Sequence, residues 1–474
     1  MTLPVVPSYL AITGRVKSWL ESPSKRLPVS CTVFVVEDSM EGKDGIEDSW
    51  TFASKALRNA AGVAIHLSNL RPKGTANPEG LVASGPVSFA KIYSMINEIL
   101  RRGGHFKNGA ITVHLDYDHP DALNFITTPR HELPWVKRCL NVDNDFINWD
   151  GLEQALEACR SGDLWLVKKI TDSEGNRIYH NVCLEINLRS RGTCLLSHVN
   201  LGKCPATDLP EAFEDGMHFL CQLHAQTGTD DSGIYLSSAE DKQVGLGVLG
   251  LANRLAIDGI TYLDFVSTLE RYLHNYTNKD YLQVDYESPA YILVHNLFLG
   301  FQRAATVAKS YGMVRAFTVA PTATCSYRYT DSEGYTTTPE IAPPIDRQID
   351  RDSDTFGVMS YDYNPKVEIA SEVGWDVFFR LNCAWQKLMN VTGLAHSMST
   401  NWWSDMTVMD KDFVNKWLES PLLSLYYSLQ VMPSTQDKST VWIDNDFSIL
   451  GLDEKNTACG ISEDEKSFCS ACAE

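Results

Sequence analysis

Uninterrupted apolar blocks and blocks of mixed polarity alternate along most of the chain. Ser30–Val36 (SCTVFVV) is rich in β-branched residues and runs into a charged turn, which predicts a strand. The following EDSWTFASKALRNAAGVAI spaces its apolar residues for one helical face, and VSFAKIYSMINEILRR predicts a second amphipathic helix. Ala110–Tyr117 (AITVHLDY) reads as a strand and HPDALNFI as a short helix with Pro120 in its first turn. NVCLEINL is strand-like, and DLPEAFEDGMHFLCQLHAQTG is a helix opened by Pro210 and closed by Gly228. Further helices are predicted over Val244–Ile257, Tyr262–Tyr276, Tyr291–Tyr311 and Lys366–Leu388, and AFTVA is a short strand. This alternation predicts an α/β fold with largely buried strands. No repeat of solenoid period and no long Pro/Ser/Gly linker divides the chain, so residues 1–458 are expected to form one main domain. The ending SEDEKSFCSACAE is polar, acidic and small, which predicts a mobile tail over 459–474.

Composition narrows the function. With 474 residues, 44% of them hydrophobic and 21% charged, the chain is globular and can bury a large core. Lys+Arg 41 against Asp+Glu 60 gives a net charge of −19, poorly suited to tracking a nucleic-acid polymer; a single nucleotide in a small pocket stays open. MTLPVVPSYLAITGRVKSWL lacks the basic start and apolar core of a secretory signal, and no apolar run approaches the ~18 residues of a membrane span. A cytoplasmic location is expected. The 12 cysteines are scattered, unlike a secreted disulfide scaffold, so most are expected to be buried thiols and a few chemical.

Four stretches carry candidate chemistry. In YHNVCLEINLRSRGTCLLSHVNLG, a strand would put Asn181, Cys183 and Glu185 on one face. Such a face is costly to bury unless a polar partner sits there. Either Cys183 is a core cysteine between surface polar groups, or the three are a catalytic triplet in which Glu185 moves a proton. GLGVLG (Gly245–Gly250) matches a dinucleotide-binding string but follows polar residues and lies in an apolar helical pattern, so close helix packing explains its glycines better. Pro321, Thr322, Ala323, Thr324 and Ser326 follow a short apolar strand, where backbone amides and hydroxyls could hold an anion or simply cap a helix. Cys469 and Cys472 form a CxxC that supplies two ligands where structural zinc wants four; a dithiol shuttle on the acidic tail is the better reading, and no metal site is expected. The adjacent Tyr426 and Tyr427 of SLYYSLQVM, read as strand residues pointing to opposite faces, say nothing alone.

Taken in order, these segments resemble the large catalytic subunit of ribonucleotide reductases. LPVSCTVFVVEDSMEGKDGIEDSW resembles that family's first redox-cysteine segment, GVAIHLSNLRPKGT and GPVSFAKI the helical region after it, and RRGGHFKNGAITVHLDYDHPDALNFI the next strand and helix. Asn181-Val182-Cys183-Leu184-Glu185 is similar to the family's finger loop and CLLSHVNLG to its second redox cysteine; QVGLGVLGLANRL, APTATCS and SLYYSLQ resemble later segments. The series spans Pro7 to Cys472.

The resemblance implies a ten-stranded α/β barrel with Cys183 at the tip of a central finger loop. It implies that Cys183 is the transient thiyl radical that takes the ribose 3′-hydrogen, that Glu185 accepts the 3′-hydroxyl proton, and that Asn181 holds substrate hydroxyls. Cys31 and Cys194 would reduce the 2′-carbon and end as a disulfide, which Cys469 and Cys472 would re-reduce. Ser30 and the Pro321–Ser326 segment would hold the substrate phosphates. Tyr426 and Tyr427 resemble the pair that relays a radical from a separate metal-loaded, ferritin-like small subunit, so no cofactor is expected on this chain; the alternative is an adenosylcobalamin enzyme. The implied partners are a ribonucleotide, a dNTP or ATP effector, thioredoxin or glutaredoxin, and a second copy of the chain, with neither nucleic-acid polymer nor membrane. Asp38, Ser39 and Arg71 sit where relatives bind the effector, and the loop linking effector to substrate falls near Thr128–Trp135. The chain starts almost at the first redox segment, with no room for the ATP-cone of many relatives, so on/off control by ATP and dATP is not expected. Two rivals remain: a zinc-binding structural protein and a nucleotide-binding barrel that has lost catalysis.

Overall fold

The computed structural model describes residues 3–431 apart from 24–26, 78–79, 101–108, 228–231, 280–284 and 354–356. The first half of the chain forms β1 (Leu10–Ile12), α1 (Gly14–Glu21), β2 (Cys31–Val35), α2 (Ile46–Arg58), β3 (Gly62–His66), α3 (Pro86–Ile99), β4 (Ile111–Asp116), α4 (Ala122–Thr127), β5 (Lys137–Val142), α5 (Leu152–Arg160) and β6 (Leu164–Lys168). β2 to β6 are parallel neighbours in sequence order, with the helices carrying the chain back between them. All five residues of β2 and of β3 are buried, the pattern of strands covered on both faces.

A small sheet, β7 (Ile170–Thr171), β8 (Arg177–His180) and β9 (Asn187–Leu188), interrupts the alternation. The second half then supplies β10 (Leu196–Asn200), α6 (Leu209–His224), β11 (Gln243–Leu249), α7 (Leu251–Asp258), α8 (Tyr262–Asn278), α9 (Pro289–Ser310), β12 (Arg315–Val319) and α10 (Ala323–Ser326). A hairpin of β13 (Gln348–Ser353) and β14 (Gly357–Asp362) precedes α11 (Ala370–Val373), α12 (Trp375–Asn390), β15 (Ala395–Met398), β16 (Trp402–Trp403), α13 (Lys411–Glu419), β17 (Ser424–Leu425) and β18 (Ser428–Leu429). β10, β11, β12 and β15 are parallel, with β1 antiparallel on the β10 edge; β17 adds antiparallel to β6.

The two sheets adjoin at both edges, giving the expected α/β barrel as two half-barrels of five and six strands. That is one strand more than the ten expected, because short β17 adds to the β6 edge. At one seam Thr32 bridges Thr193, and the Cys194 N–H donates to the Cys31 carbonyl at 2.9 Å. At the other, Ser424 Oγ donates to the Met398 carbonyl at 3.1 Å and the Tyr426 N–H to that of Thr400 at 2.8 Å.

Most predicted elements are present, with instructive differences. The helix after the first strand stops at Arg58, and its GVAI end belongs to β3. Residues 244–249 form strand β11 and not a helix, since a short apolar run fits either element. A side chain at Gly245 would sit 2.4 Å from Leu196 and 2.6 Å from Thr318, so its glycine makes room between strands rather than helices. The helix expected over Lys366–Leu388 is two helices broken at Gly374, whose φ of 79° suits glycine. Pro120 lies before α4 and not in its first turn.

Candidate active site

β8 and β9 pair as an antiparallel hairpin, Tyr179 opposite Leu188 and His180 opposite Asn187, and the tip between them holds the Asn181–Ile186 turn. The predicted strand through Asn181, Cys183 and Glu185 is therefore absent, and with it the shared strand face. Asn181 bends the chain instead: its N–H donates to the Ile186 carbonyl at 3.0 Å, and its Oδ1 accepts from the Ile186 N–H at 3.2 Å. An Asn side chain that satisfies a nearby backbone amide competes with strand pairing in this way. Leu184 takes a φ of 65°, which completes the turn.

The hairpin threads between the two half-barrels, and side chains of both grip its backbone. From the six-stranded sheet, Thr112 Oγ1 donates to the Val182 carbonyl at 3.2 Å, and the His66 ring nitrogen lies 3.0 Å from the His180 carbonyl. From the five-stranded sheet, Thr318 Oγ1 and Ser397 Oγ both donate to the Glu185 carbonyl at 2.6 Å. His180 reaches back to the Lys168 carbonyl at 3.1 Å. The finger is thereby pinned from opposite walls.

Asn181, Glu185, Cys31 and Cys194 are fully enclosed and Cys183 is 3% exposed. The three cysteines share one interior cluster with Cys139, Trp165 and Tyr426. Cys31 and Cys194 are cross-strand neighbours at the first seam, and no disulfide joins the described cysteines. The Cys194 thiol lies 4.0 Å from Glu185 Oε1. Burial pushes its pKa well up, and the nearby Glu185 and Cys183 push it further. Behind Cys194, Asp241 accepts from the N–H and Oγ1 of Thr193 at 2.7 and 2.9 Å, and burial raises its carboxyl to about 6. Asn181 Nδ2 and Ser30 Oγ are buried without a hydrogen-bond partner among the described residues, the state of groups that a polar ligand would satisfy.

The other expected residues are arranged as follows. Tyr426 and Tyr427 lie in the link between β17 and β18, not within a strand. Their rings meet at 4.5 Å, and Tyr426 packs on Trp165 at 4.5 Å, so an aromatic row runs from half-buried Tyr427 into the Cys183 cluster. Pro321–Ser326 forms a tight turn and α10 beyond β12. Its hydroxyls already have work: Ser326 Oγ donates to the Ala323 carbonyl at 2.8 Å, and the N–H and Oγ1 of Thr322 both face Glu340 Oε1. Glu340 is half-buried as a residue but turns its carboxyl inward, where burial raises it to about 7. Asp38 and Arg71 pair with each other at 2.6 Å on the half-exposed surface, and Ser39 Oγ donates to the Glu41 carbonyl at 2.6 Å. Thr128–Trp135 contains a single helical turn at Arg130–Glu132 and is anchored by Asn97, which donates to the Trp135 carbonyl at 2.6 Å. Cys469 and Cys472 lie outside the described residues.

Sequence reasoning missed the gripping residues Thr112, His66, Thr318 and Ser397, and also Asp241 and Glu340. Hydroxyls and imidazoles in the middle of doubly buried apolar strands were the available signal, because such groups need an interior partner.

Residues 29–167 match the family described as ribonucleotide reductase, barrel domain. A vitamin B12-dependent ribonucleoside-diphosphate reductase of Mycobacterium tuberculosis is 27% identical over 278 residues, 50% of this chain and 40% of that protein. One of the same description from Thermoplasma acidophilum is 27% identical over 276 residues, 48% of this chain and 34% of that protein. The chain thus spans less than half the length of these curated relatives. Among solved structures, the class Id ribonucleotide reductase alpha subunit of Actinobacillus ureae superposes with a TM-score of 0.64 at 16% identity, covering 89% of this chain and 87% of that one.

Proposed function

We propose, from the match of residues 29–167 to the ribonucleotide reductase barrel domain, that the chain reduces ribonucleotides to 2′-deoxyribonucleotides by radical chemistry on Cys183. The observation that carries this reading is the enclosure of Cys183, Glu185, Asn181, Cys31 and Cys194 together between the half-barrels.

In this reading a thiyl radical at Cys183 takes the 3′-hydrogen of the ribose, and Glu185 accepts the 3′-hydroxyl proton as general base. The 2′-hydroxyl leaves as water. Cys31 and Cys194 together give up two electrons and two protons and become a disulfide; one proton leaves in the water and the other ends on the 2′-carbon. Glu185 returns its proton to the 3′-oxygen, and the 3′-hydrogen returns from Cys183, which restores its radical. Asn181 and Ser30, with buried polar atoms to satisfy, hold substrate hydroxyls and phosphate. The Pro321–Ser326 turn binds the phosphates once Thr322 exchanges Glu340 for them. Diphosphates are the proposed substrates, in line with the two relatives, which are ribonucleoside-diphosphate reductases. Cys469 and Cys472 return the spent disulfide to thiols by exchange, drawing on thioredoxin or glutaredoxin. Asp38, Ser39 and Arg71 bind a nucleotide effector at the interface of a homodimer.

The radical is proposed to arrive from a metal-loaded small subunit through Tyr427 and Tyr426, a reading supported by the aromatic row that ends in the Cys183 cluster. A second reading, with adenosylcobalamin as the radical source, is favoured by the B12-dependent description of the curated relatives. Nucleotide reduction assays on the purified chain, with adenosylcobalamin alone and with a co-purifying small subunit, separate the two. The Cys183→Ser variant is expected to be inactive in both. Turnover by that variant would remove the whole reading.

A further inference from the structure

A cavity of about 480 Å³ opens at the end of the barrel away from the Pro321–Ser326 turn. It is lined by the first residue of β12, Arg315, whereas the turn follows the last, Val319. Four residues of strand separate them by roughly 13 Å. The cavity also touches the base of the finger, at Asn187 of β9, and the last turn of α12, at Gln386, Lys387 and Asn390.

Its chemistry is one-sided. Among the described residues no aspartate or glutamate lines it, in a chain whose net charge is −19. Arg315 is 5% exposed, and its guanidinium makes no hydrogen bond or ion pair among the described residues; Asp241, the carboxylate whose charge it feels, is engaged with Thr193 instead. A guanidinium that faces a cavity offering no protein acceptor is available to donate to a ligand there. Lys387, exposed at the rim, also forms no ion pair among the described residues. Asn187 Oδ1 and Gln386 Oε1 are buried without partners among the described residues; both are acceptors and call for a donor, the opposite need to that of Arg315. The carbonyl end of α12 opposes a negative charge, which Arg315 and Lys387 must outweigh; just beyond that end Lys309 Nζ donates to the Thr392 carbonyl and Gln302 Nε2 to that of Val391.

We propose that this cavity binds the oxyanion of a small soluble ligand, phosphate or carboxylate, held by the donors of Arg315 and Lys387. The site joins β12 and α12 to the finger base, so its occupant restrains the hairpin that carries Cys183. This inference does not depend on the reaction proposed above.

Isothermal titration of the full chain with inorganic phosphate, and separately with succinate, tests it. At least one anion is expected to bind saturably, and the stronger of the two identifies the oxyanion class. Arg315→Gln and Lys387→Glu should each weaken that binding by about tenfold or more, the usual effect of losing a charged hydrogen bond. Anion bound at the Pro321–Ser326 turn would survive both changes, and Lys55→Glu on α2 controls for net charge. Lys387 is exposed, so its variant reports even if Arg315→Gln fails to fold. Absence of binding by either anion, or binding unchanged in Lys387→Glu, overturns the proposal.

Discussion

Glu185 Oε1 lies 4.0 Å from the Cys194 thiol, inside a cluster that also encloses Cys183. A carboxylate at that distance disfavours the thiolate, and burial disfavours it further. Glu185→Gln removes a negative charge while keeping the shape. The pH at which a small haloacetamide alkylates Cys194 should therefore move down in the variant, as read by peptide mass spectrometry. An unchanged profile would mean that the carboxylate does not act on this thiol.

The grip on the finger should be measurable as stability and as rate. Thr318→Val and Ser397→Ala each remove one of the two donors to the Glu185 carbonyl. Each is expected to cost about 0.5–1.5 kcal/mol in denaturant unfolding, the net worth of a hydrogen bond whose acceptor keeps its other donor. Turnover should fall more than KM rises, because the residue displaced is Glu185. The double variant should lose more than the sum, since either donor alone still holds the carbonyl.

Glu340 gives a pH signature. Its folded-state carboxyl is raised to about 7 from an ordinary value of 4.5. Between these values the folded chain keeps a proton that the unfolded chain has released, so stability falls as pH rises through this window. Below it both states are protonated and the effect is absent. Glu340→Gln should flatten this slope, leaving the contribution of Asp241, raised to about 6. Removing the carboxylate that faces Thr322 should also lower the KM for nucleotide. Equal slopes in the two proteins, by thermal unfolding across pH, would count against an inward-facing carboxyl.

Tyr426 divides the two radical sources. Tyr426→Phe keeps the ring that packs on Trp165 at 4.5 Å and removes only the hydroxyl. Activity with a small subunit should disappear while the unfolding midpoint shifts little. Activity with adenosylcobalamin, if that is the source, should persist.

Much of this was legible in the chain. The cysteines at 31, 183 and 194 and the carboxylate at 185 stand in recognisable segments, and the structure encloses them together. Alternation of apolar blocks gave the α/β class because parallel strands covered on both faces are apolar throughout. The local geometry was less legible. NVCLEINL has strand composition, yet Asn181 spends its side chain on the Ile186 amide and makes a turn. GLGVL is equally apolar on every face and was read as helix, whereas close neighbours on the adjoining strands require glycine there. The partnership of Thr322 with Glu340, 18 residues on, depends on the path of an irregular loop and leaves no periodic trace.

The bonds that hold the finger connect residues far apart in the chain: Thr112 is 70 residues from Val182, Thr318 is 133 from Glu185, and Ser397 is 212 from it. Contacts of such high sequence separation form late, because large loops must close first. During synthesis the hairpin therefore emerges long before its last clasp, and its thiol stays accessible until that clasp forms. The same arrangement makes the hairpin a keystone: a nascent chain that stops short of Ser397 can close the Thr32–Thr193 seam but lacks the second, made by Met398 and Thr400 with Ser424 and Tyr426.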